Sequence, residues 1–471
     1  MTIRFLLNRR PVEDDSNEAT VLLDLLRRKQ RLTGTKDVCR EGDCGACQVL
    51  LGKKNDDGSW RYRAVNACLL PLAAVADSHV VTVEGLSDER ANPIQQALID
   101  CGAIQCGYCT PGLVVALTGF FLGAEASDES EALDALAGNL CRCTGYAGIK
   151  RAIGRLCRRF DLAESPLERR LDDLVSWGIL PGYFDAIDRD MSRIARSNPA
   201  VSVPGALPVA GGTDLFVRDP MTLQTQPLAF LANSAQAVRI DGDEMIIDAL
   251  ATIEQLRTSP LFLAEVPKAE QDFKLIGSSP VRARATVGGN VVNASPIADL
   301  AVLLLALNAR LVLSSPQEGR RVVALKAFFQ GYKQVDLNPG EWVTEIRFDR
   351  IVGRYCNYEK VSTRRHLDIA SVNSAIGVQI QDRIITAVSI AAGGVSPVPL
   401  YLAETCAYLS GRVVEPAAIR YAADIARQEI SPIDDVRGSA DYKRLLLRQL
   451  IYAHFLTLFP ETLTWEALHA R

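Results

Sequence analysis

The stretch CREGDCGACQV, Cys39 to Val49, sets three thiols at the spacing Cys39-x4-Cys44-x2-Cys47. With one more, distant cysteine this is the ligand pattern of a plant-type [2Fe–2S] cluster. Cys68, in AVNACLL, is the candidate for the fourth sulfur. Gly42 and Gly45 sit inside the loop, where they let the backbone turn sharply and aim N–H groups at sulfur. Such donors matter because four thiolates and two sulfides carry more negative charge than two ferric ions cancel. Zinc is the chemical rival, but its sites usually pair ligands as C-x2-C twice, and the x4 gap fits less well. Free cysteines packed as small hydrophobes are the bland alternative.

A second set follows. AIQCGYCTPG supplies Cys106-x2-Cys109, and NLCRCTGY supplies Cys141-x-Cys143. Two tight pairs indicate a metal site, but C-x-C is unusual for zinc and for the common iron–sulfur runs, so spacing alone leaves the metal open. Cys101, Cys157, Cys356 and Cys406 read as core residues. Ten of the 12 cysteines precede residue 160, so the sulfur chemistry is N-terminal.

The elements around these residues have to position them. TIRFLLN and PVEDD predict a hairpin, ATVLLDLLRRKQR a helix stopping near Gly34, and RYRAVNA and HVVTVEG strands. Together they make a small ferredoxin-like unit. Around the second set the pattern is helical. Asn92 caps a helix opening at Pro93, Thr110-Pro111 opens LVVALTGFFLG, and Ser127 caps ESEALDALAGN. AGIKRAIGRLCRR puts Ile149, Ile153, Leu156 and Cys157 on one face. Each cysteine pair then lies at helix ends, where free N–H groups can face a metal–sulfur centre, and four helices form a bundle around it.

Composition narrows the rest. With 52 Lys and Arg against 56 Asp and Glu, the net charge is −4, so no basic field points to nucleic acid or an anionic membrane. No run approaches the roughly 18 apolar residues of a membrane span. Proline and acids follow Arg9-Arg10 rather than an apolar stretch, so no secretory or twin-arginine signal is expected and the chain is placed in the cytoplasm, where disulfides are rare. A length of 471 residues suggests several domains. Residues 161–190, charged and broken by Pro and Gly, predict a surface linker. Beyond it, PVAGGTDLFV and ATVGGNVVNASPIADL place Gly211-Gly212 and Gly288-Gly289-Asn290 at strand-to-loop steps. Neither is a G-x-G-x-x-G fingerprint, yet such loops can cradle a pyrophosphate with backbone N–H groups. A bare Gly-Gly turn is the plainer reading. The C-terminal part begins with strands such as IITAVSIAAGG and ends in helices such as DYKRLLLRQLIYAHFL.

Along nearly its full length the chain resembles the small, iron–sulfur and flavin subunit of the bacterial xanthine dehydrogenase family, among the molybdenum hydroxylases. CREGDCGAC, NACL, QCGYCTPG, GNLCRCTGY, AGGTDL, ATVGGNVVNASPIADL and RRHLDIASVN carry the resemblance. It implies an α+β multidomain protein: a β-grasp plant-type ferredoxin domain (1–85), a four-helix [2Fe–2S] domain (86–160), the linker, an α/β FAD-binding domain (191–360) and a C-terminal α+β domain (361–471). It implies that Cys39, Cys44, Cys47 and Cys68 hold the cluster nearer the flavin, and Cys106, Cys109, Cys141 and Cys143 the one nearer a molybdenum cofactor on a partner. Gln105 would reach that cofactor's pterin. Val209, Ala210, Gly211, Gly212, Thr213, Asp214 and Leu215, with Thr286, Val287, Gly288, Gly289 and Asn290, would wrap the FAD diphosphate and ribityl chain, and Asp299 and Lys360 would lie by the isoalloxazine. The family often has a lysine shortly after the Gly393-Gly394 turn, where VSPVPLYLAE has none.

The implied activity is oxidation of hypoxanthine and xanthine to urate, with electrons leaving molybdenum through two clusters to FAD and on to NAD. The cofactors carry the chemistry, and no catalytic residue is expected in this chain. A large molybdopterin-binding subunit, in a dimer of heterodimers, is the implied partner. Aldehydes or other N-heterocycles as substrate, oxygen as acceptor, a free-standing ferredoxin–flavin reductase and a non-catalytic zinc scaffold are the alternatives.

Overall fold

The computed structural model describes residues 2–55, 57–194, 196–197, 205–231, 236–315, 319–350 and 352–469. The chain divides into two compact units, 1–231 with 277–284, and 232–276 with 285–471.

The first unit opens with the predicted hairpin, β1 (Ile3–Leu7) and β2 (Arg10–Asp14). A helical turn α1 (Leu22–Asp24) runs on as a π-helix through Leu25–Lys29. Leu22, Leu23, Leu25 and Leu26 are all buried. β3 (Gln48–Lys54), β4 (Trp60–Asn66) and β5 (His79–Val81) complete a five-stranded sheet in the order β2-β1-β5-β3-β4. The β1–β5 pair is parallel and the others antiparallel, which makes the expected β-grasp. The strand expected over HVVTVEG stops at Val81, because Val83–Gly85 turns into a 3-10 helix.

Helices α2 (Pro93–Asp100), α3 (Thr110–Gly123), α4 (Glu129–Ala135) and α5 (Ala147–Arg159) follow. Asn92 caps α2 in a full capping box with Gln95, an arrangement worth about 1 kcal/mol. The cap of α4 is Asp128 rather than Ser127. Both side chains suit the role, but the Ser127 hydroxyl instead donates to Phe160 O. α3 is apolar nearly all round and buried from Gly112 to Thr118, as befits the central helix of a bundle.

The stretch expected to be a surface linker is folded. α6 (Arg170–Ser176) and α7 (Ile187–Ser192) form there, and Leu162, Leu174, Ile179, Leu180, Phe184 and Ile187 join the core of the helical bundle. Arg170 is the reason. Its buried guanidinium donates to Phe121 O and Ala124 O at the end of α3, and to Leu162 O and Ser165 O of its own segment. Those are orphan carbonyls that a helix end must satisfy. The unit closes with β6 (Leu207–Val209), α8 (Leu215–Arg218) and β7 (Leu228–Phe230), β6 and β7 pairing in parallel. Val209, Phe216, Leu223 and Leu228 pack into the ferredoxin core.

Two larger antiparallel sheets dominate the second unit, beside the two-stranded pair Phe329–Gly331 and Gln334–Val335. One is ordered Gly319–Ala324, Arg310–Ser315, Trp342–Asp349, β9 (Glu244–Asp248) and β8 (Val238–Asp241). The other is ordered Tyr355–Val361, Val372–Gln381, Ile384–Gly393 and Leu400–Tyr401. The helix Asp299–Ala306 is buried from Leu300 onward and packs on the second sheet. The predicted C-terminal helix spans Ala440–Leu458 and packs against Pro416–Glu429. Among the described residues no helix is long and apolar enough to cross a membrane.

Candidate functional site: two thiol centres and the flavin loops

The Cys39–Cys47 loop wraps because Arg40, Gly42 and Gly45 all adopt left-handed backbone, a conformation that suits glycine and strains other residues. Arg40 is anchored by paired hydrogen bonds to Asp24 and Asp37. The four thiols divide two and two: Cys39 with Cys44, and Cys47 with Cys68. Cys47 and Cys68 are buried, Cys39 and Cys44 partly so. The hydrogen bond from Cys44 draws Cys39 down to about 5, against the upward pull of burial. Cys44 and Cys68 are pushed up as the donors of their pairs, with burial adding to it. Backbone N–H groups of Glu41, Asp43 and Cys44 reach the Cys39 sulfur, that of Ala46 reaches Cys44, and that of Gly42 reaches Cys68. These are the donors a negatively charged metal–sulfur centre needs.

The second centre is built the same way from helix starts. Cys109 is the N-cap residue of α3, and Cys141 and Cys143 precede α5. The pairs are Cys106 with Cys143, sulfurs 3.5 Å apart, and Cys109 with Cys141. Burial, then the Cys141 contact, pushes Cys109 up to about 12. The Tyr108 N–H and then Cys143 hold Cys106 low. Burial raises Cys141, but hydrogen bonds from Thr144 outweigh it. Tyr146, in left-handed backbone, accepts from the Cys141 N–H at 2.9 Å and fixes the C-x-C turn. Cys106 and Cys143 are exposed, and so is Gln105 beside them. Among the described residues no three His, Cys, Asp or Glu side chains converge as a lone ion requires. Thiols split two and two, with N–H groups aimed at sulfur, fit a two-iron centre at both places.

The two centres touch through glycine. A Cβ on Gly112, in the first turn of α3, would overlap Gly45 O, and one on Gly45 would overlap Gly138 O. Leu140, next to Cys141, donates its N–H to the carbonyl of Cys44 at 3.0 Å. Sequence reading missed Gly112, Gly138, Leu140 and Tyr146.

The flavin stretches fall in different units. In the first, β6 leads into a turn at Ala210–Asp214 with Gly212 at φ +71°. Among the described residues the N–H groups of Gly211, Gly212 and Thr213 are not taken up by backbone acceptors, which leaves them free to face an anion. In the second, the strand-to-loop expectation is overturned. Val287–Val292 is a short helix capped by Thr286. Its first N–H groups are consumed: Val287 donates to Ala251 O, Gly288 to Ala249 O, Gly289 to Thr286 Oγ1 and Asn290 to Thr286 O. The glycines serve closeness instead, since a Cβ on Gly288 would lie 2.7 Å from Ala249 Cβ. Among the described residues Asn290 Oδ1 is enclosed without a partner, an acceptor that a ligand's hydroxyl or N–H would satisfy. Asp299 and Lys360 do meet, at 2.8 Å, with Lys360 also donating to Leu275 O. Tyr358 and Asn373 donate to the other oxygen of Asp299.

Four family models match this chain. They are the 2Fe-2S iron-sulfur cluster binding domain over residues 5–73, the [2Fe-2S] binding domain over 82–154, the FAD binding domain in molybdopterin dehydrogenase over 190–349, and the CO dehydrogenase flavoprotein C-terminal domain over 357–458. The chain thus carries two [2Fe–2S] binding domains and an FAD-binding domain of the kind found in molybdopterin dehydrogenases, and its cofactors are two [2Fe–2S] clusters and FAD. Xanthine dehydrogenase of Drosophila subobscura is 27% identical over 96% of this chain and 39% of its own length. Aldehyde oxidase 1 of Macaca fascicularis is 26% identical over 96% of this chain and 39% of its own. The chain therefore spans about two fifths of the length of these curated relatives. Carbon monoxide dehydrogenase from Hydrogenophaga pseudoflava, in a form lacking the Mo-pyranopterin moiety of the molybdenum cofactor, is similar with a TM-score of 0.50. It is 28% identical over 55% of this chain and 92% of that one.

Proposed function

We propose that this chain is the electron-transfer subunit of a cytoplasmic xanthine dehydrogenase. A large molybdopterin-binding partner, in a dimer of heterodimers, oxidises hypoxanthine and xanthine to urate, and this chain delivers the electrons to NAD. When bound, the clusters supply one-electron steps and FAD supplies the conversion to hydride transfer. Cys39, Cys44, Cys47 and Cys68 hold the cluster nearer the flavin. Cys106, Cys109, Cys141 and Cys143 hold the one nearer the partner, where exposed Gln105 meets the pterin. The Val209–Leu215 turn, Thr286–Asn290, Asp299 and Lys360 bind FAD.

One observation supports this reading above the others: two four-thiol centres in one compact unit, one enclosed and one open at its rim, joined by the Leu140–Cys44 hydrogen bond. An arm that takes electrons from a separate protein needs such an open end. Aldehyde oxidase matches almost as well as xanthine dehydrogenase, which makes an aldehyde the second substrate class.

The test is tagged purification of the chain from its source, followed by iron, flavin and molybdenum analysis and a substrate screen. About four irons per chain, FAD, a larger molybdenum-containing partner and xanthine-dependent NAD reduction are expected. Turnover of aldehydes but not xanthine would move the assignment to the second class, and purification without any molybdenum partner would refute both.

A further inference from the structure

Arg284 has no place in the readings above. It ends the segment Gly277–Arg284, which folds with the iron–sulfur unit. Its Nη2 donates to Gly211 O at 2.7 Å, while its Nε is enclosed and has no partner among the described residues. Burial draws the guanidinium down to about 10, so it stays a cation at neutral pH. Lys53, exposed at the surface, is drawn down by its surroundings, the like charges of Arg284 and Arg63 among them, with Asp77 opposing. A half-buried guanidinium with an enclosed, unused donor and like-charged neighbours is costly unless an anion balances it. The turn it grips, Gly211 to Thr213, offers N–H groups that no backbone acceptor among the described residues takes up.

We propose that Arg284 is a flavin-binding residue, whose guanidinium clamps the Gly211 turn and supplies the positive charge facing the FAD diphosphate. The proposal rests on the flavin reading above. It assigns the charge to Arg284, and to the turn the array of neutral donors. Arg is suited to both tasks, since its planar fork can hold a carbonyl and a phosphate oxygen together.

The full chain, stripped of flavin and re-titrated with FAD or with riboflavin at two salt concentrations, tests this by fluorescence quenching. R284Q is expected to weaken FAD binding about ten- to hundredfold and to flatten its salt dependence. Riboflavin affinity, which lacks any phosphate term, stays unchanged, as do iron content and the cluster spectra. R284K, keeping charge but losing the fork, falls between. Should R284Q fail to fold, R284K and inorganic pyrophosphate competing with FAD in the wild type give the same information. Unchanged FAD affinity in R284Q overturns the proposal, as does equal loss of FAD and riboflavin, which marks a collapsed turn. A wild-type chain that takes up no FAD refutes the flavin reading itself, and that failure is distinct because it precedes any substitution.

Discussion

The two thiol centres use the same parts in opposite surroundings. At the first, Cys47 and Cys68 sit in the ferredoxin core among Val49, Val65, Ala67 and Leu69. At the second, Cys106 and Cys143 are open to solvent and only Cys141 is buried. Enclosure makes a centre part of the fold, because its ligands are also core side chains. Exposure leaves a centre open at the chain's own surface, and the apolar side chains Ile104, Tyr108 and Leu140, close to its cysteines in sequence, stand exposed as well. The chemistry of four thiolates is shared, and burial divides the labour.

The largest test of this contrast is removal of one ligand from each centre. Cys68→Ser should drop iron from about four to about two per chain and cost more than about 4 kcal/mol of stability, because it removes metal and core packing together. Cys106→Ser should remove the same amount of iron for about 1–2 kcal/mol, leaving the circular dichroism of the fold intact. Iron analysis with urea unfolding reads both. Equal destabilisation by the two variants would break the comparison.

A smaller effect tests the glycine contact between the centres. Gly112→Ala places a Cβ against Gly45 O, and backbone cannot yield as a side chain does. The loop and α3 must part, at a cost of about 1–3 kcal/mol, and the magnetic interaction between the two reduced clusters should weaken in electron paramagnetic resonance spectra. Gly123→Ala, at the far end of the same helix with open space around it, should stabilise by up to about 1 kcal/mol and leave the interaction unchanged. An unaltered spectrum for G112A would show that the close approach does not set cluster separation.

How much of this was legible beforehand depended on whether the signal was local. The thiol spacings and the cap Asn92-Pro93 are local chemistry, and the structure has that cap as read; the next helix instead opens one residue early, at Thr110, with Cys109 in the cap position and no cap from the Thr110 hydroxyl. Ser127 and Asp128 are adjacent residues of equal capping merit, so only the tertiary bond of Ser127 to Phe160 decides between them. Residues 161–190 look like a linker because their charge is plain and their apolar residues are spread out. That Arg170 turns inward to satisfy the end of α3 is a long-range fact. Gly288-Gly289 argues against helix by propensity, yet Thr286 and the backbone of Ala249 and Ala251 hold one there. Arg284 carried no signal, since its meaning lies in Gly211, a residue far off in sequence.

The most graded test uses acid. His79 is the only one of the four histidines in the first unit, and it lies in β5, inside the sheet that carries the first centre. Its Nε2–H donates to Asn8 O at 2.9 Å, so Nδ1 accepts from the Tyr62 hydroxyl at 2.7 Å. Both nitrogens are satisfied only in the neutral ring, and burial draws the pKa from 6.5 down to about 4. An unfolded His79 takes its proton near pH 6.5, the folded one only near pH 4. Between those values the unfolded state binds more protons, so stability falls as pH falls, by a total on the order of 3 kcal/mol. The contribution is complete above pH 6.5 and gone below pH 4. Bleaching of the first cluster should therefore gain on that of the second as samples are taken from pH 7 to pH 5 in moderate urea, since no histidine stands in the helical domain. Parallel bleaching of both clusters across that range would mean that the enclosed centre draws no pH-dependent support from the sheet around it.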